Sequence, residues 1–469
     1  MANADRSFDL VVVGSGPGGY VCAVRGAQLG LRTAVIEKDP LPGGTCLHWG
    51  CIPTKALLHS AEVLETARHA ARFGIEVSEP RLDLERVQAY KDKVVQSNAR
   101  GVQFLFKKNG VTSLRGYGRL AGGGHVEITP EDGEPYTVRG KAIVLATGSA
   151  IRGLPGVAFD GRRVLHSDDA LALRAVPKSM IVLGAGAVGV EFASIYASFG
   201  SKVTVVELLA RMLPLEDSDL GAEIERAFRK RGIDVHTGAR VESVQTSEDG
   251  VRIRAAQDGT AVELSAETLL VAVGRKPRTD DLGLERTAVK LDARGFVEVD
   301  VHLRTAEPGV YAIGDILPTQ ALAHVASHEG VNAAEHAAGK DPHAIDYDKV
   351  PSCTYCDPEV AAVGLTEEEA RRRGHDVVVG TFPFSAIGKA KILSDARGFV
   401  KIVAERRHDE ILGVHIIGPH ATELISEATA ALALEATAAS LIEAIHAHPT
   451  LAEAMHEAAL GVHGRSIHI

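Results

Sequence analysis

The sequence predicts an α/β protein that contains one strand–turn–helix–strand unit twice and ends in a separate α+β domain. Two glycine-rich turns, at residues 14–19 and 184–189, each follow a continuous apolar run typical of strands buried on both faces. After each turn come a helical stretch, a second apolar run and a glutamate, 18 residues beyond the last glycine. From about residue 348 short strands and alanine-rich helices indicate a further domain.

The first unit has the G-x-G-x-x-G spacing at Gly14, Gly16 and Gly19, and its second strand ends at Glu37. Glycines at this spacing let the backbone approach a pyrophosphate at a helix N-terminus, and the acid can accept hydrogen bonds from a ribose. The flanking strands, predicted at 8–13 and 32–36, and the helix, predicted at 20–29, complete a Rossmann-like dinucleotide-binding module. A merely structural tight turn is the alternative.

The second unit repeats the motif at Gly184, Gly186 and Gly189, and its second strand ends at Glu207. A carboxylate at this position suits a free ribose 2′-hydroxyl and repels the 2′-phosphate of NADP, so we predict NAD. Arg211 is the one nearby residue that would weaken this prediction, and we interpret it as a cation on a surface helix. Two modules imply two dinucleotides, so electrons are expected to pass between two cofactors.

Two of the five cysteines, Cys46 and Cys51, have four residues between them and stand between a Gly-Gly pair and a predicted helix that runs to residue 72. Pro53 suits the first turn of that helix, so Cys51 lies at a helix N-terminus, where the dipole favours a thiolate. A disulfide closing so short a loop would add only about 2 kcal/mol to stability. We therefore predict a redox-active pair; two buried thiols or half of a metal site are the alternatives.

The remaining segments complete these modules. A helical region at 82–107 precedes a small antiparallel sheet predicted at 111–138 and a buried strand at 142–145. A strand at 309–313 ends at Asp315 as if it returned to the first module, which implies that the second module is inserted in the first. Asp315 is then placed to bind a ribityl or ribose hydroxyl, unless it is a plain turn aspartate. We predict four domains, at residues 1–149, 150–277, 278–347 and 348–469.

Near the C-terminus His448 precedes Pro449, which is predicted to begin a helix, and Glu453 lies five residues after the histidine. Thiol–disulfide exchange at neutral pH needs a proton carrier, and a histidine oriented by a carboxylate supplies one. By itself this pattern also describes a helix cap. A second pair, Cys353 and Cys356, lies in a predicted strand, where residues three apart point to opposite faces, and no functional role is predicted for it.

The composition limits the possible partners. The net charge is −10, and no segment concentrates Lys and Arg, which argues against nucleic acid and anionic membranes as partners. No signal pattern and no apolar run long enough to span a bilayer are present in the sequence, and five cysteines do not make a disulfide framework. We expect a cytoplasmic protein that acts on small molecules and binds no metal.

In combination these motifs resemble the flavin-dependent pyridine nucleotide-disulfide oxidoreductases over essentially the whole chain. The resemblance rests on the segment 43–55, on both glycine fingerprints, on Tyr-Ala-Ile-Gly-Asp at 311–315 and on His-Ala-His-Pro-Thr-Leu-Ala-Glu at 446–453. It implies FAD in the first module, NAD in the second, and a homodimer formed through the last domain. It also implies that His448 and Glu453 reach the active site from the other subunit.

The resemblance implies roles for individual residues. Cys46 would be the thiol that faces the substrate and Cys51 the thiolate beside the flavin, with Lys55 near flavin N5 and paired with Glu191. Matches to cofactor-binding positions of the first module are Gly14, Gly16, Gly19, Glu37, Lys38, Gly44, Thr45, Lys55, Gly118, Thr147, Gly148, Asp315 and Ala323. Matches to positions of the second are Gly184, Gly186, Gly189, Glu207 and Gly274.

Within the family, the chain resembles members that oxidise dihydrolipoamide, carried by a lipoyl-bearing protein of a 2-oxo acid dehydrogenase or glycine cleavage complex, and reduce NAD to NADH. A glutathione-type NADPH reductase, a mercuric ion reductase and a flavoprotein that serves mainly as a structural subunit are the alternatives. His48 and Trp49 depart from the family pattern between the cysteines, as Val325, Ser327 and His328 do after Ala323. His48 is interpreted as a structural hydrogen-bonding residue or, alternatively, a second base.

Overall fold

A computed structural model describes residues 6–469, which form 22 strands and 13 α-helices. The strands are β1 (Ser7–Val13), β2 (Thr33–Glu37), β3 (Thr112–Arg115), β4 (Tyr117–Gly122), β5 (His125–Thr129), β6 (Tyr136–Leu145), β7 (Ser149–Ile151), β8 (Val164–Leu165), β9 (Ser179–Leu183), β10 (Lys202–Val206), β11 (Asp234–His236), β12 (Ala239–Ser247), β13 (Gly250–Gln257), β14 (Thr260–Ala266), β15 (Thr268–Val271), β16 (Arg275–Pro277), β17 (Val310–Ala312), β18 (Ser352–Thr354), β19 (Glu359–Gly364), β20 (Val377–Pro383), β21 (Phe399–Glu405) and β22 (Ile411–Gly418). The helices are α1 (Pro17–Gln28), α2 (Gly44–Trp49), α3 (Cys51–Arg68), α4 (Leu84–Asn109), α5 (Ser167–Leu171), α6 (Ala187–Phe199), α7 (Ser218–Lys230), α8 (Ala323–Ala337), α9 (Glu367–Arg372), α10 (Gly388–Ile392), α11 (Ala421–Ala433), α12 (Ala438–Glu443) and α13 (Glu453–Val462).

The first of two compact units contains the chain up to Ala56, together with Gln88–Arg152 and Arg275–Tyr347. Its main sheet has the order β3-β2-β1-β6-β5-β4, and β17 pairs with β6. Strands β3, β2, β1 and β17 pair in parallel. The apolar runs of β1, β2 and β17 lie in the core, where helices pack against the sheet, while β3 is a mostly exposed edge strand. The pairing of β17 with β6 means that the chain returns to the first sheet after the second module.

The small antiparallel sheet predicted at 111–138 is correct in part. Strands β4, β5 and the first half of β6 pair antiparallel, but β3 pairs parallel with β2, and all these strands belong to the main sheet. The reason is the ten-residue strand β6, whose first half pairs antiparallel with β5 while its second half pairs parallel with β1. Because β6 pairs with β5 on one side and with β1 on the other, the antiparallel strands and the parallel strands form one sheet.

Helices α1 and α8 of this unit approach closely because glycines face each other. A Cβ on Gly18 would lie 2.8 Å from the Ala326 carbonyl oxygen, and one on Gly330 would lie 2.5 Å from the Gly18 carbonyl oxygen. Only glycine permits this approach. It fixes the N-terminal halves of two helices that begin at the carboxyl ends of buried strands.

The second unit contains Leu57–Val87, Gly153–Gly274 and Asp348–Ile469. It holds a parallel sheet of order β11-β10-β9-β15-β8, an antiparallel sheet of order β12-β13-β14, and a C-terminal sheet of order β18-β19-β22-β21-β20. Helices α11, α12 and α13 share an apolar core with the C-terminal sheet. Two Rossmann-like modules, one inserted in the other, and an α+β C-terminal part confirm the predicted fold class.

Helix limits differ from prediction where a single residue decides them. Helix α1 begins at Pro17 rather than residue 20, since proline needs no hydrogen bond in the first turn. Helix α3 ends at Arg68, and the chain continues as a 3₁₀ turn capped by Gly74 at a φ of 74°. None of the helices in residues 6–469 is long and apolar enough to cross a membrane.

Candidate active site

The first glycine turn is built so closely that side chains are excluded. Gly14 has a φ of +102°, and a Cβ there would lie 2.3 Å from the Ala146 carbonyl oxygen. A Cβ on Gly19 would lie 2.0 Å from the Gly14 carbonyl oxygen. Helix α1 begins inside this turn, so unpaired backbone N–H groups and the positive end of the helix dipole face the space above it.

The second glycine turn repeats this geometry. Gly184 has a φ of +105°, and its Cβ would lie 2.4 Å from the Ala272 carbonyl oxygen, while a Cβ on Gly189 would lie 1.8 Å from the Gly184 carbonyl oxygen. Gly274 has a φ of +107°, and open space surrounds the position of its Cβ, as it does that of Gly186. Both turns thus have the shape of a cradle for a diphosphate.

The two glutamates predicted to bind ribose occupy equivalent places. Glu37 accepts hydrogen bonds from the backbone N–H of Ser15, at 3.0 Å, and of Asp39, at 2.9 Å. Glu207 accepts them from the N–H of Ala185, at 2.6 Å, and of Leu209, at 2.8 Å. Each carboxylate is therefore fixed beside its glycine turn and keeps further acceptor capacity for hydroxyl groups.

Arg211, which could have altered the choice between NAD and NADP, forms a two-fold ion pair with Glu368 at 3.1 Å. It is a surface cation as interpreted, but it lies in a loop before α7 and not on a helix. Glu207 consequently remains the charged group that borders this glycine turn.

The cysteine segment lies directly against the first glycine turn. The Gly43 N–H donates to the Ser15 carbonyl oxygen at 3.0 Å, and a Cβ on Gly44, whose φ is +61°, would lie 2.6 Å from the Gly16 Cα. Cys46 falls in the short helix α2, which the sequence did not predict, and Cys51 begins α3 as predicted. The backbone contact between Gly44 and Gly16 therefore places the thiol pair next to the dinucleotide cradle.

The two thiols of this pair differ electrostatically. Both are thiols outside any disulfide, and both are partly buried. The hydrogen bond to Cys51, burial and the charge on Cys51 raise the pKa of the Cys46 thiol, and Lys55 opposes this only in part. Cys46 therefore holds its proton more tightly than an ordinary thiol, while Cys51 lies at the N-terminus of α3, where a helix dipole favours a thiolate.

His448 and Glu453 meet in the second unit. His448 Nδ1 lies 2.8 Å from Glu453 Oε1, and the Thr450 N–H donates to Glu453 Oε2 at 2.9 Å. Burial opposes ionisation of Glu453, but the bonds from His448 and Thr450 outweigh it and hold the pKa of this carboxyl below its ordinary value. The prediction that Pro449 begins a helix is wrong: α13 begins at Glu453, whose side chain is already engaged by the preceding loop.

Comparison with known proteins identifies the family. Residues 8–330 match the pyridine nucleotide-disulphide oxidoreductases, and residues 350–459 match the dimerisation domain of the same proteins. The chain belongs to the pyridine nucleotide-disulphide oxidoreductase family.

Among its relatives is the dihydrolipoyl dehydrogenase of Bacillus subtilis, 48% identical over 98% of this chain and 99% of that protein. The mitochondrial dihydrolipoyl dehydrogenase of Pisum sativum is 43% identical over 100% of this chain and 94% of that protein. The crystal structure of LpdA from Mycobacterium tuberculosis superposes with a TM-score of 0.89 at 29% identity, covering 96% of this chain and 98% of that one. The predicted family is confirmed, and FAD and NAD are its cofactors.

The residues of the first unit fit FAD. Asp315 follows β17 and accepts a hydrogen bond from the Ser149 hydroxyl, which itself accepts one from Arg275 Nε at 2.6 Å. Thr147 donates to the Arg278 carbonyl oxygen at 2.7 Å, and Gly148 has a φ of +71°. An aspartate held in one orientation thus follows the carboxyl end of β17, which is paired with β6.

Four further predicted positions lie around the same sheet. Gly118 packs against the ends of β1 and β2, where its Cβ would meet Val13 and Ile36 at 3.1 Å. Lys38 is exposed and pairs with Asp39 at 2.7 Å. Thr45 lies in α2 beside Cys46, and Ala323 is the first residue of α8.

Sequence reasoning missed three residues of this site. Ser149 and Arg275 fix Asp315, although both stand directly after predicted cofactor residues. Glu329 in α8 is fully buried and accepts hydrogen bonds from the Gly314 N–H at 2.6 Å, from Thr319 and from Tyr347. No local signal singles out Glu329, because α8 also contains three histidines, an asparagine and a second glutamate.

Two further predictions, for His48 and for the pair Cys353 and Cys356, can be compared with the contacts of these residues. His48 Nε2 lies 2.9 Å from the Pro42 carbonyl oxygen and its ring contacts Trp49, which supports the structural interpretation. Strand β18 ends at Thr354, so only Cys353 is in a strand, contrary to expectation. Cys353 and Cys356 contact different carbonyl groups, and no cluster of metal ligands occurs among residues 6–469.

Proposed function

We propose that this chain oxidises dihydrolipoamide on a lipoyl-bearing protein and reduces NAD to NADH, using FAD and the Cys46–Cys51 pair. The observation that carries the proposal is the backbone contact of Gly44 with Gly16, which puts a redox-type thiol pair beside a dinucleotide cradle. Relatives named dihydrolipoyl dehydrogenase match the whole chain, and this supports the choice of dithiol substrate.

The first cradle, with Glu37 and Asp315, would hold FAD, and the second, with Glu207, would hold NAD. When bound, the flavin accepts an electron pair from a dithiol and NAD takes it up as a hydride. Glu207 selects NAD because a second negative group, the 2′-phosphate of NADP, would be repelled by a carboxylate already fixed by two N–H groups. Lys55 and Glu191 would form the predicted pair near the flavin.

The protein groups would carry the thiol chemistry. His448 would donate a hydrogen bond from its Nδ1–H group to Glu453. In the neutral ring Nε2 then carries no proton and can accept one from a substrate thiol. The substrate thiolate attacks Cys46 of the disulfide, forming a mixed disulfide and releasing Cys51 as a thiolate. The second substrate thiol attacks the substrate sulfur of the mixed disulfide, closes the lipoyl ring and passes its proton to the departing Cys46 sulfur. His448 keeps the first proton and returns it to solvent, so that one proton is released for each NADH formed.

The raised pKa of Cys46 and the position of Cys51 support these roles. In this proposal Cys46 is the protonated thiol and Cys51 the charged one, at the N-terminus of α3, where the helix dipole would stabilise a thiolate. The match to a dimerisation domain supports a homodimer, in which His448 and Glu453 would serve the other subunit's thiol pair. The same proposal has three further parts. The lipoyl carrier belongs to a 2-oxo acid dehydrogenase or glycine cleavage complex, the protein is cytoplasmic, and the domain limits are at 149/150, 277/278 and 347/348.

One kinetic comparison tests the function. The purified FAD-loaded protein is assayed with dihydrolipoamide and NAD, and in parallel with glutathione disulfide and NADPH. We expect turnover in the first assay and no more than background in the second. The reverse result would assign the chain to the glutathione-type reductases, and inactivity in both assays with intact bound FAD would support a structural role instead.

A further inference from the structure

The loop that carries His448 is almost entirely exposed. Between α12 and α13, the side chains of residues 443–449 are exposed except for one, that of His446. Ile445 is 100% exposed and the His448 side chain 77%, whereas the His446 side chain is 9% exposed. Among residues 443–449, His446 is therefore the side chain that packs against the rest of the second unit.

His446 is bonded through both ring nitrogens. Its Nε2 lies 2.7 Å from Glu427 Oε1 on α11, and its Nδ1 lies 3.0 Å from the Ala444 carbonyl oxygen. The His456 ring of α13 packs beside it with centroids 5.6 Å apart. Glu427 and His456 are thus titratable groups that face His446; Glu427 belongs to α11, and His456 to α13, the helix that follows the loop.

Both contacts of His446 have hydrogen-bonding length. The Ala444 carbonyl oxygen lies within the loop's own chain, so that contact fixes the ring relative to the loop. The Glu427 contact joins the ring to α11, an element outside the loop. His448, two residues further along the loop, contacts Glu453 through Nδ1 at 2.8 Å.

We propose that His446, held by Glu427, is a positioning residue that fixes the loop so that His448 presents Nε2 to the substrate thiol. This inference rests on the proposed function. His446 does not exchange protons with the substrate. It acts by restricting the loop, since a base that is misplaced by about 1 Å can lower a rate by a factor on the order of 100.

The test uses the FAD-loaded dimer with His446→Ala and Glu427→Ala, each verified by flavin absorbance and by mass in solution. We expect kcat for dihydrolipoamide oxidation to fall about tenfold with little change in KM for NAD, since positioning and not cofactor binding is lost. Amide hydrogen exchange over residues 443–452 should become faster in both variants. The acid limb of the pH profile should persist, since His448 still provides the base.

Two further variants separate this role from a general effect. Glu427→Gln should retain most of the activity, because a glutamine offers an acceptor or a donor to either protonation state of His446. His463→Ala removes a matched pair, His463 Nε2 to Asp409 Oδ1 at 2.8 Å, which lies outside the loop, and should leave exchange at 443–452 unchanged.

The outcomes are distinguishable. Unchanged exchange in His446→Ala overturns the anchoring, and faster exchange with wild-type kcat overturns the positioning. Disappearance of the acid limb would make His446 itself the base and also overturns the proposal. If the wild-type protein does not oxidise dihydrolipoamide, the proposed function fails, and the exchange experiment still decides whether His446 holds the loop.

Discussion

Replacing Gly19 or Gly189 by alanine tests which module holds which cofactor. Both glycines close their turns against a backbone carbonyl, and neither has a positive φ, so the effect of a methyl group is purely steric. The added Cβ would lie 2.0 Å from the Gly14 oxygen in one case and 1.8 Å from the Gly184 oxygen in the other. Both distances are more than 1 Å short of ordinary contact.

The size of the effect follows from what must move. Both clashing groups are backbone, so no flexible side chain can yield, and the turn itself has to open. Overpacking of this kind costs about 1–3 kcal/mol. The strain is relieved when the turn opens, and the open turn does not hold the dinucleotide. The strain energy therefore appears as a Kd for the dinucleotide that is higher by about tenfold to a hundredfold, since each factor of ten in Kd corresponds to about 1.4 kcal/mol.

The assay measures bound FAD after gel filtration and the KM for NAD. Gly19→Ala should lose FAD on dilution, and Gly189→Ala should keep a full complement of FAD with a KM for NAD raised at least about tenfold. Gly101→Ala, on an exposed face of α4 with open space around its Cβ, is the control and should change neither. Loss of FAD from Gly189→Ala alone would show that the modules have been assigned in the wrong order.

Further predictions concern the thiols, the nucleotide and a buried lysine. Reduction by NADH without oxygen should raise the thiol titre by two per subunit, about the value for one disulfide, and should change the fluorescence of Trp49, the only tryptophan, which stands between the cysteines; an unchanged titre contradicts the redox pair. Cys46→Ser should abolish dithiol oxidation while FAD, measured by absorbance, stays bound. Glu207→Arg should raise the KM for NAD and lower it for NADP. Lys401→Met should cost about 3–5 kcal/mol in urea unfolding at pH 7, because it leaves the fully buried Asp217 carboxylate without its cation; Asp219 and Glu367, the other two partners of Lys401, are 59% and 29% exposed. Lys401 helps to hold the pKa of Asp217 and Glu367 below their ordinary 3.8 and 4.5, so this loss should be full at neutral pH and shrink as the pH falls below those values and the carboxylates take up protons; a loss that is equal at pH 7 and at about pH 3 would contradict the reasoning.

Much of the site could be predicted because its signals are local. The spacing of Gly14, Gly16 and Gly19 and the acid at Glu37 describe one continuous supersecondary unit, and the structure contains that unit. Cys51 at a helix start follows from Pro53 two residues later. The family resemblance added roles that no local pattern contains, and the proposed service of His448 to another subunit is one of them.

Other predictions failed where the decisive partner is distant in sequence. The division of 111–138 from the main sheet failed because β6 pairs with strands on both sides. The helix predicted at Pro449 failed because Thr450 and His448 bind the Glu453 carboxylate and occupy the turn before α13. Local residue propensities contain no information about the strand pairings of β6 or about the hydrogen bonds to Glu453.

The sequence by itself determined the repeated modules, the redox cysteines and the preference for NAD, since each depends on residue types at short fixed spacings. Only the tertiary structure decided that Gly44 rests on Gly16, that Ser149 and Arg275 hold Asp315, and that His446 ties its loop to Glu427. These contacts join backbone and side chains that are far apart along the chain, and they depend on how strands and helices pack. Periodicity records which face of an element is buried, but not which residue it meets there.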